Sequence, residues 1–324
     1  MTTWFIRRLL QAVLVVLAMT MIVFLGLHIV GDPVQTFVSP EATQEDIRRI
    51  TAQLGLDRPL WEQYVAFLGD LVRGDLGRSF IYDEPALQLV LSRMPATFEM
   101  AALAMFISIF IGVTLGIYCG IFPDRRSSRA IMAGSILGFS LPTFWVGIML
   151  VMYFSVYLGW FPSGGRGDTV ELFGTEWSIF TWDGLSHLFL PALNLALFKI
   201  SLLLRLTRAV VRETMPKDYV KFARAKGLHP SRVLGVHVLK NIMIPIVTII
   251  GLELGSVVAF AVVTETVFAY PGMGKLIIDS INILDRPVIV AYLVIIVLMF
   301  VVLNLVVDII YAILDPRVRR RMMQ

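Results

Sequence analysis

Long apolar runs alternate with shorter polar ones along nearly the whole chain. Six runs reach the ~20 residues that a helix needs to cross a hydrocarbon core. They lie at residues 9–30, 97–122, 130–158, 185–206, 242–268 and 288–314. The pattern predicts an all-α, polytopic membrane protein with about six transmembrane helices, each satisfying its own backbone in lipid. The first run follows Arg7-Arg8, as a secretory signal would. It is too long for a signal core and lacks a small-x-small site near its end, so a retained span is expected.

Two connections carry helical patterns of their own. In residues 31–96, Ser39-Pro40-Glu41 offers an N-cap, a first-turn proline and an acidic first turn. Ile47, Ile50 and Leu54 follow at helical spacing, and Gly55 can stop that helix. A second helix is expected from Pro59 to Gly74, with Trp61, Tyr64, Val65, Leu68, Leu71 and Val72 as its apolar face. Such a helix between two spans is expected on the membrane surface or against the other spans; the plainer alternative is a small external cap without function.

Residues 205–240 form a long, basic connection. Pro216 opens a helix over 217–226 that sets Tyr219, Phe222, Ala223 and Lys226 on one face, and Gly227 closes it. His229-Pro230-Ser231 starts a second helix leading into the fifth run. Small residues at Ala223, Ala225 and Gly227 let another surface come close, and aromatics are the residues that carry interface energy. The segment is expected to dock a cytoplasmic partner. A polybasic helix held by anionic lipids, at ~1 kcal/mol per Lys or Arg, explains the charge but neither the aromatics nor the glycine turn.

Charge sets the orientation. The N-terminus, residues 122–130, residues 205–240 and the tail hold 18 of the 28 Lys and Arg; the alternate set holds nine, and Lys199 lies within a run. By the positive-inside rule both termini are cytoplasmic, residues 31–96 are external and residues 205–240 are cytoplasmic. The chain is 57% hydrophobic and 16% charged, against roughly 25% charged in soluble domains. Its net charge of +4 sits beside apolar runs, which points to a membrane face and not to nucleic acid.

Chemistry of its own is hard to find in this chain. Cys119 is a single cysteine inside an apolar run, and the four histidines are scattered. No phosphate-cradling loop, zinc-protease helix or nucleophile elbow occurs; Gly272-Met273-Gly274-Lys275 lacks the earlier glycine of a phosphate loop. No metal or cofactor is expected on the chain itself. Ionisable residues inside spans are costly and often functional, which singles out Lys199, Glu253, Glu265 and Asp308. Glu265 and Asp308 fall near span ends, where interfacial capping is the plainer role. Lys199 lies ~9 Å and Glu253 ~16 Å from the cytoplasmic ends of their runs at the helical rise. An ion pair is therefore possible; the rival reading has Lys199 snorkelling and Glu253 alone beside a watery path.

The loop sequence "DYVKFARAKG" (218–227), with His237, Asn241 and Pro245, resembles the coupling loop of permeases in the dipeptide/oligopeptide/nickel group of ABC importers. The likeness covers nearly the whole chain: Gly31-Asp32-Pro33, "LGLDRPLWEQY" (54–64), "RGDLGRSF" (73–80), "MPATFEMA" (94–101), "LPTFWVGIML" (141–150), "FPSGGR" (161–166), "LPAL" (190–193), "TETVFAYPGMGKL" (264–276) and "NLVVDIIYAILDPRVR" (304–319). It looks like the first of the two permeases that such systems pair. The resemblance implies one transmembrane domain over residues 1–324 in a bacterial or archaeal inner membrane. It also implies a second homologous permease, two cytoplasmic ATPases carrying ATP and Mg, an external solute-binding protein, and coupling through 217–227. There are departures: Lys221-Phe222-Ala223 replaces a broader Glu-Ala-Ala pattern, Lys240 replaces a proline, Leu284 stands where the group often has Arg, and Phe260 where it often has a small residue. The last two bear on substrate choice, and dipeptides, longer peptides and nickel complexes all stay open. A secondary transporter or channel would share the spans without needing the docking loop, and an intramembrane enzyme would need a nucleophile or metal site.

Overall fold

The computed structural model describes residues 2–29, 43–53 and 57–314. Its helices, in chain order, are α1 (Thr2–Ile29), α2 (Gln44–Gln53), α3 (Leu60–Arg73), α4 (Ala86–Ile121), α5 (Arg126–Ser140), α6 (Thr143–Leu150), α7 (Trp182–Thr214), α8 (Asp218–Ala225), α9 (Lys240–Val267), α10 (Met273–Asn282) and α11 (Arg286–Leu314). A short antiparallel hairpin, β1 (Val170–Leu172) with β2 (Thr175–Trp177), precedes α7. By length and composition, four helices among the described residues can each cross a membrane: Ala86–Ile121, Trp182–Thr214, Pro245–Val267 and Arg286–Val307. Within α1, Leu10–Gly26 is a shorter apolar helix. The fold is all-helical and polytopic apart from the hairpin.

The expected continuous span over 130–158 is corrected. It is two pieces, α5 and then α6 with a π-helical extension Val151–Tyr157, bent by 104°. The break sits at Leu141-Pro142, both in extended backbone. A proline pushes the residue before it out of the helical region and supplies no N–H to the preceding turn. Pro95, Pro191 and Pro245 lie inside α4, α7 and α9 without ending them, as membrane helices tolerate when neighbours satisfy the freed carbonyls.

Two compact units can be distinguished: Met1–Leu91 with Asp279–Val301, and Ser92–Ile278 with Val302–Gln324. In the first, α3 begins after Pro59 and stops at Gly74, whose φ of 75° is the left-handed cap that glycine adopts freely. Tyr64, Phe67 and Leu71 turn inward: Phe67 and Leu71 pack against Val23, Val290 and Val294. The Tyr64 hydroxyl donates to Leu17 O at 3.1 Å, and its ring stands 5.4 Å from Phe24. Of the two expected placements of this helix, packing on the spans holds for that stripe. Trp61, Val65 and Val72, expected on the same face, are exposed. Asp285, fully buried, accepts from Ser79 Oγ at 2.5 Å in the same unit. Ser39-Pro40-Glu41, Gly55 and the basic tail lie outside the described residues.

The second unit is organised on α7, which packs against α5, α6 and α9. Its contact with α4 is set by Gly112, Gly116 and Gly120, spaced four apart. A Cβ on Gly116 would lie 2.6 Å from Thr207 Cβ and 2.8 Å from Leu204 O. On Gly112 it would lie 2.9 Å from Leu203 Cβ, and on Gly120 2.6 Å from Val211 Cβ. Lipid gives helices no hydrophobic drive to associate, so close backbone approach through small residues supplies much of the packing.

Candidate functional site

The connection between α7 and α9 holds the helix α8 over Asp218–Ala225, between caps at Lys217 and Lys226. Gly227 ends it with φ +74°, donating to Arg224 O, while Leu228 N reaches back to Ala223 O. A Pro230–Arg232 turn and a π-helical segment, Val233–Leu239, then lead directly into α9. The inner face of α8 is fixed: Val220 and Ala223 are buried in a core with Val211, Val233, Val238, Ile242 and Ile246. The outer face is open. Tyr219 and Phe222 are 40% and 62% exposed, and the Lys226 ammonium lies 4.6 Å over the Phe222 ring. Ala225, Lys226 and Gly227 are exposed beside them. Of the six residues expected to meet a partner, Ala223 therefore anchors the helix to its own chain, and five stand outside. That core takes Val211 from α7 and Ile242 and Ile246 from α9, so α8 is packed on both helices.

The structure joins Lys199 and Glu253. Lys199, on α7, has a side chain 2% exposed and donates to a Glu253 carboxylate oxygen and, at 2.6 Å, to Ser256 Oγ. Glu253 and Ser256 lie on α9 at i, i+3 and are themselves hydrogen-bonded. The Phe198 and Phe260 rings flank the ammonium at 5.6 and 5.4 Å, and Phe139 stacks on Phe198 at 4.7 Å. Lys199 thus stays buried among partners and does not snorkel, and its charge is met by a carboxylate, a hydroxyl and two ring faces.

Glu265 has a different role. It is fully buried and accepts from Thr97 Oγ1 at 2.6 Å and from the Lys275 backbone N–H at 2.9 Å. Thr97 Oγ1 also accepts from Met273 N at 2.9 Å. The two side chains cap the open N–H groups at the start of α10, where an anion is favoured. A Cβ on Gly272 would sit 2.4 Å from the Glu265 carboxyl carbon, so only glycine lets the carboxylate in. The plainer expectation was capping at a watery interface; Glu265 instead caps the start of α10 from a fully buried position. The Asp308 side chain lies outside the described residues.

A further buried carboxylate was missed. Glu99, on α4, is 2% exposed; it pairs with Arg166 at 2.5 Å and accepts from Ser178 N, Ser178 Oγ and Ile179 N at 2.6, 2.9 and 2.7 Å. Arg166 also donates to Glu176 O, and Ser178 Oγ lies 3.2 Å from the Tyr270 hydroxyl. Burial pushes the Tyr270 phenol up to about 12, with Glu99 adding to the rise and Ser178 and Arg166 opposing it. Glu99 thereby ties the 161–166 loop and the hairpin to α4. Its sequence signal was available: an acid two residues inside an apolar run, with an arginine in a glycine-rich loop. Among the described residues, no group of three or more His, Cys, Asp or Glu could hold a metal.

Comparison with known proteins agrees with this architecture. Residues 112–320 match the family described as "Binding-protein-dependent transport system inner membrane component", and residues 1–101 match its N-terminal component model. The oligopeptide transport system permease protein AppB of Bacillus subtilis is 37% identical over 320 residues, covering 98% of this chain and 99% of the relative. The di/tripeptide transport system permease protein DppB of Pseudomonas aeruginosa is 35% identical, covering 99% and 100%. The glutathione transport system permease protein GsiC of Escherichia coli is 34% identical, covering 98% and 99%. Among solved structures, an inward-facing MetNI methionine ABC transporter chain superposes with a TM-score of 0.56 at 16% identity, covering 72% of this chain and 99% of that one, which is a likeness of fold. The chain belongs to the family of inner-membrane permease components of binding-protein-dependent ABC transport systems.

Proposed function

We propose that this chain is the first of two paired permeases in an ATP-driven importer of small peptides. Residues 1–324 act as one transmembrane domain forming half of the pore, with both termini cytoplasmic. A second homologous permease completes the pore, two cytoplasmic ATPases hold ATP and Mg, and an external binding protein delivers the solute. Peptide is favoured over nickel complexes because relatives named for oligopeptides, di/tripeptides and glutathione each align with 98% or more of the chain. The reading rests most on α8, whose aromatics stand outside while Val220 and Ala223 fix it to two spans. ATP-driven closure of the ATPases would move α8, and with it α7 and α9, between two arrangements of the pore.

Phe222→Ala should lower ATP-dependent peptide uptake at least tenfold, as loss of a central aromatic anchor does at interfaces, while membrane insertion stays normal. Gly227→Trp should abolish uptake by blocking close approach. Its positive φ adds strain for any side chain, so insertion must be checked alongside. Wild-type uptake by both correctly inserted variants would exclude α8 as the coupling element.

The orientation has its own check. Single cysteines at Ser39 and Gln324, in a Cys119→Ala background, should differ in intact cells: an impermeant thiol reagent should label position 39 and leave position 324 untouched. Labelling confined to position 324 would invert the topology.

A further inference from the structure

Between α6, α7 and α9 lies a cleft of about 70 Å³, lined by Thr143, Leu195, Phe198, Lys199, Phe260 and Thr264. Its walls are apolar or aromatic except for two hydroxyls and one ammonium. That ammonium is already engaged by Glu253 and Ser256 and flanked by two rings. The cleft therefore presents little free charge to an entering group, and a carboxylate would have to displace Glu253. Phe260 is both a wall of the cleft and 55% exposed, so one side of its ring faces away from the unit. Seven residues separate it from Glu253 and four from Thr264, which sets the three along one face of α9.

We propose that Phe260 is a specificity-determining residue, setting the size of the solute group that this cleft admits and restricting it to small aliphatic side chains. The proposal rests on the peptide-importer reading. Size decides the chemistry: a cavity that binds benzene measures about 150 Å³, twice the room here. A methyl or isopropyl group fits, whereas an aromatic ring does not. Charged side chains lack a counter-charge, because Lys199 and Glu253 answer each other. Removing the Phe260 ring merges its space with the cleft and leaves the ion pair in place.

Two measurements test this separately. In a Cys119→Ser background, Thr143→Cys places a thiol in the cleft wall of the assembled transporter. Its reaction rates with methyl and benzyl methanethiosulfonate report cleft size without reference to any transported solute. Phe260→Ala should raise the benzyl-to-methyl rate ratio roughly tenfold, the scale of pocket discrimination between apolar groups, and Phe260→Trp should lower it. An unchanged ratio in both variants overturns the proposal. In liposomes holding both permeases, the ATPases and the binding protein, Phe260→Ala should likewise raise uptake of Ala-Phe-Ala relative to Ala-Ala-Ala. If both peptides are carried but their ratio is the same in wild type, Phe260→Ala and Phe260→Trp, the specificity role falls and the peptide reading stands. If the thiol ratio shifts and neither peptide is carried, the peptide reading falls and the size filter stands.

Discussion

Gly116→Leu is expected to abolish accumulation of folded protein in the membrane. A Cβ alone would press to 2.6 Å from Thr207 and 2.8 Å from the Leu204 carbonyl, and neither can move without shifting α7. Overpacking by single methylenes costs ~1–3 kcal/mol where neighbours can adjust. Gly116→Ala should therefore lower the thermal midpoint of the purified protein, and leucine should exceed what α4 and α7 can absorb. Gly134 is the control, since a Cβ there meets nothing within 4 Å; Gly134→Leu adds the same apolar bulk. Size-exclusion profiles of detergent-extracted variants decide the matter. A monodisperse Gly116→Leu protein with a wild-type midpoint would show that α4 and α7 do not meet through these glycines.

Glu253→Gln is expected to destabilise the protein by ~2.5–3.5 kcal/mol, the insertion cost of an unpaired charge at the centre of a membrane helix. It leaves the Lys199 ammonium, 2% exposed, with only Ser256 and the two rings. Lys199→Met should cost less, because Glu253 is 19% exposed and keeps its bond to Ser256. The double variant, Lys199→Met with Glu253→Gln, should lose less than the sum of the singles, as contacting residues do. Strictly additive losses in thermal midpoint, with transport impaired by Glu253→Gln alone, would mean that the carboxylate acts by itself on the solute.

Apolar run length located four helices long and apolar enough to cross a membrane, because a bilayer demands a minimum run of apolar residues and admits few other solutions. Of the other two expected spans, the first holds a shorter apolar helix, Leu10–Gly26, and the third a bent pair. Apolar periodicity also located α3 and α8, whose start, apolar stripe and terminal glycine are local features. Gly74 and Gly227 both adopt the positive φ that their positions after a helix suggest. The kink at Leu141-Pro142 was legible as well, yet run length alone treated residues 130–158 as continuous. Long-range pairing was a different matter. Depths of ~9 and ~16 Å at the helical rise, close enough for long side chains to meet, allowed a Lys199–Glu253 contact, but depth does not fix which way two helices face. Only the packing of α7 on α9 brought the pair together and surrounded it with rings. Glu265 could not be told from a path-lining acid until α10 was seen to begin beneath it, with Gly272 leaving room for the carboxylate. Glu99 went unread because its partners lie 67 to 80 residues away in a loop and a hairpin. Local spacing thus determined which segments are helical and which of them are long and apolar runs, since helix geometry and lipid act on neighbouring residues. The roles of the buried charges were decided by tertiary structure, since a charge buried away from water takes its meaning from whatever counter-charge or N–H the fold places against it.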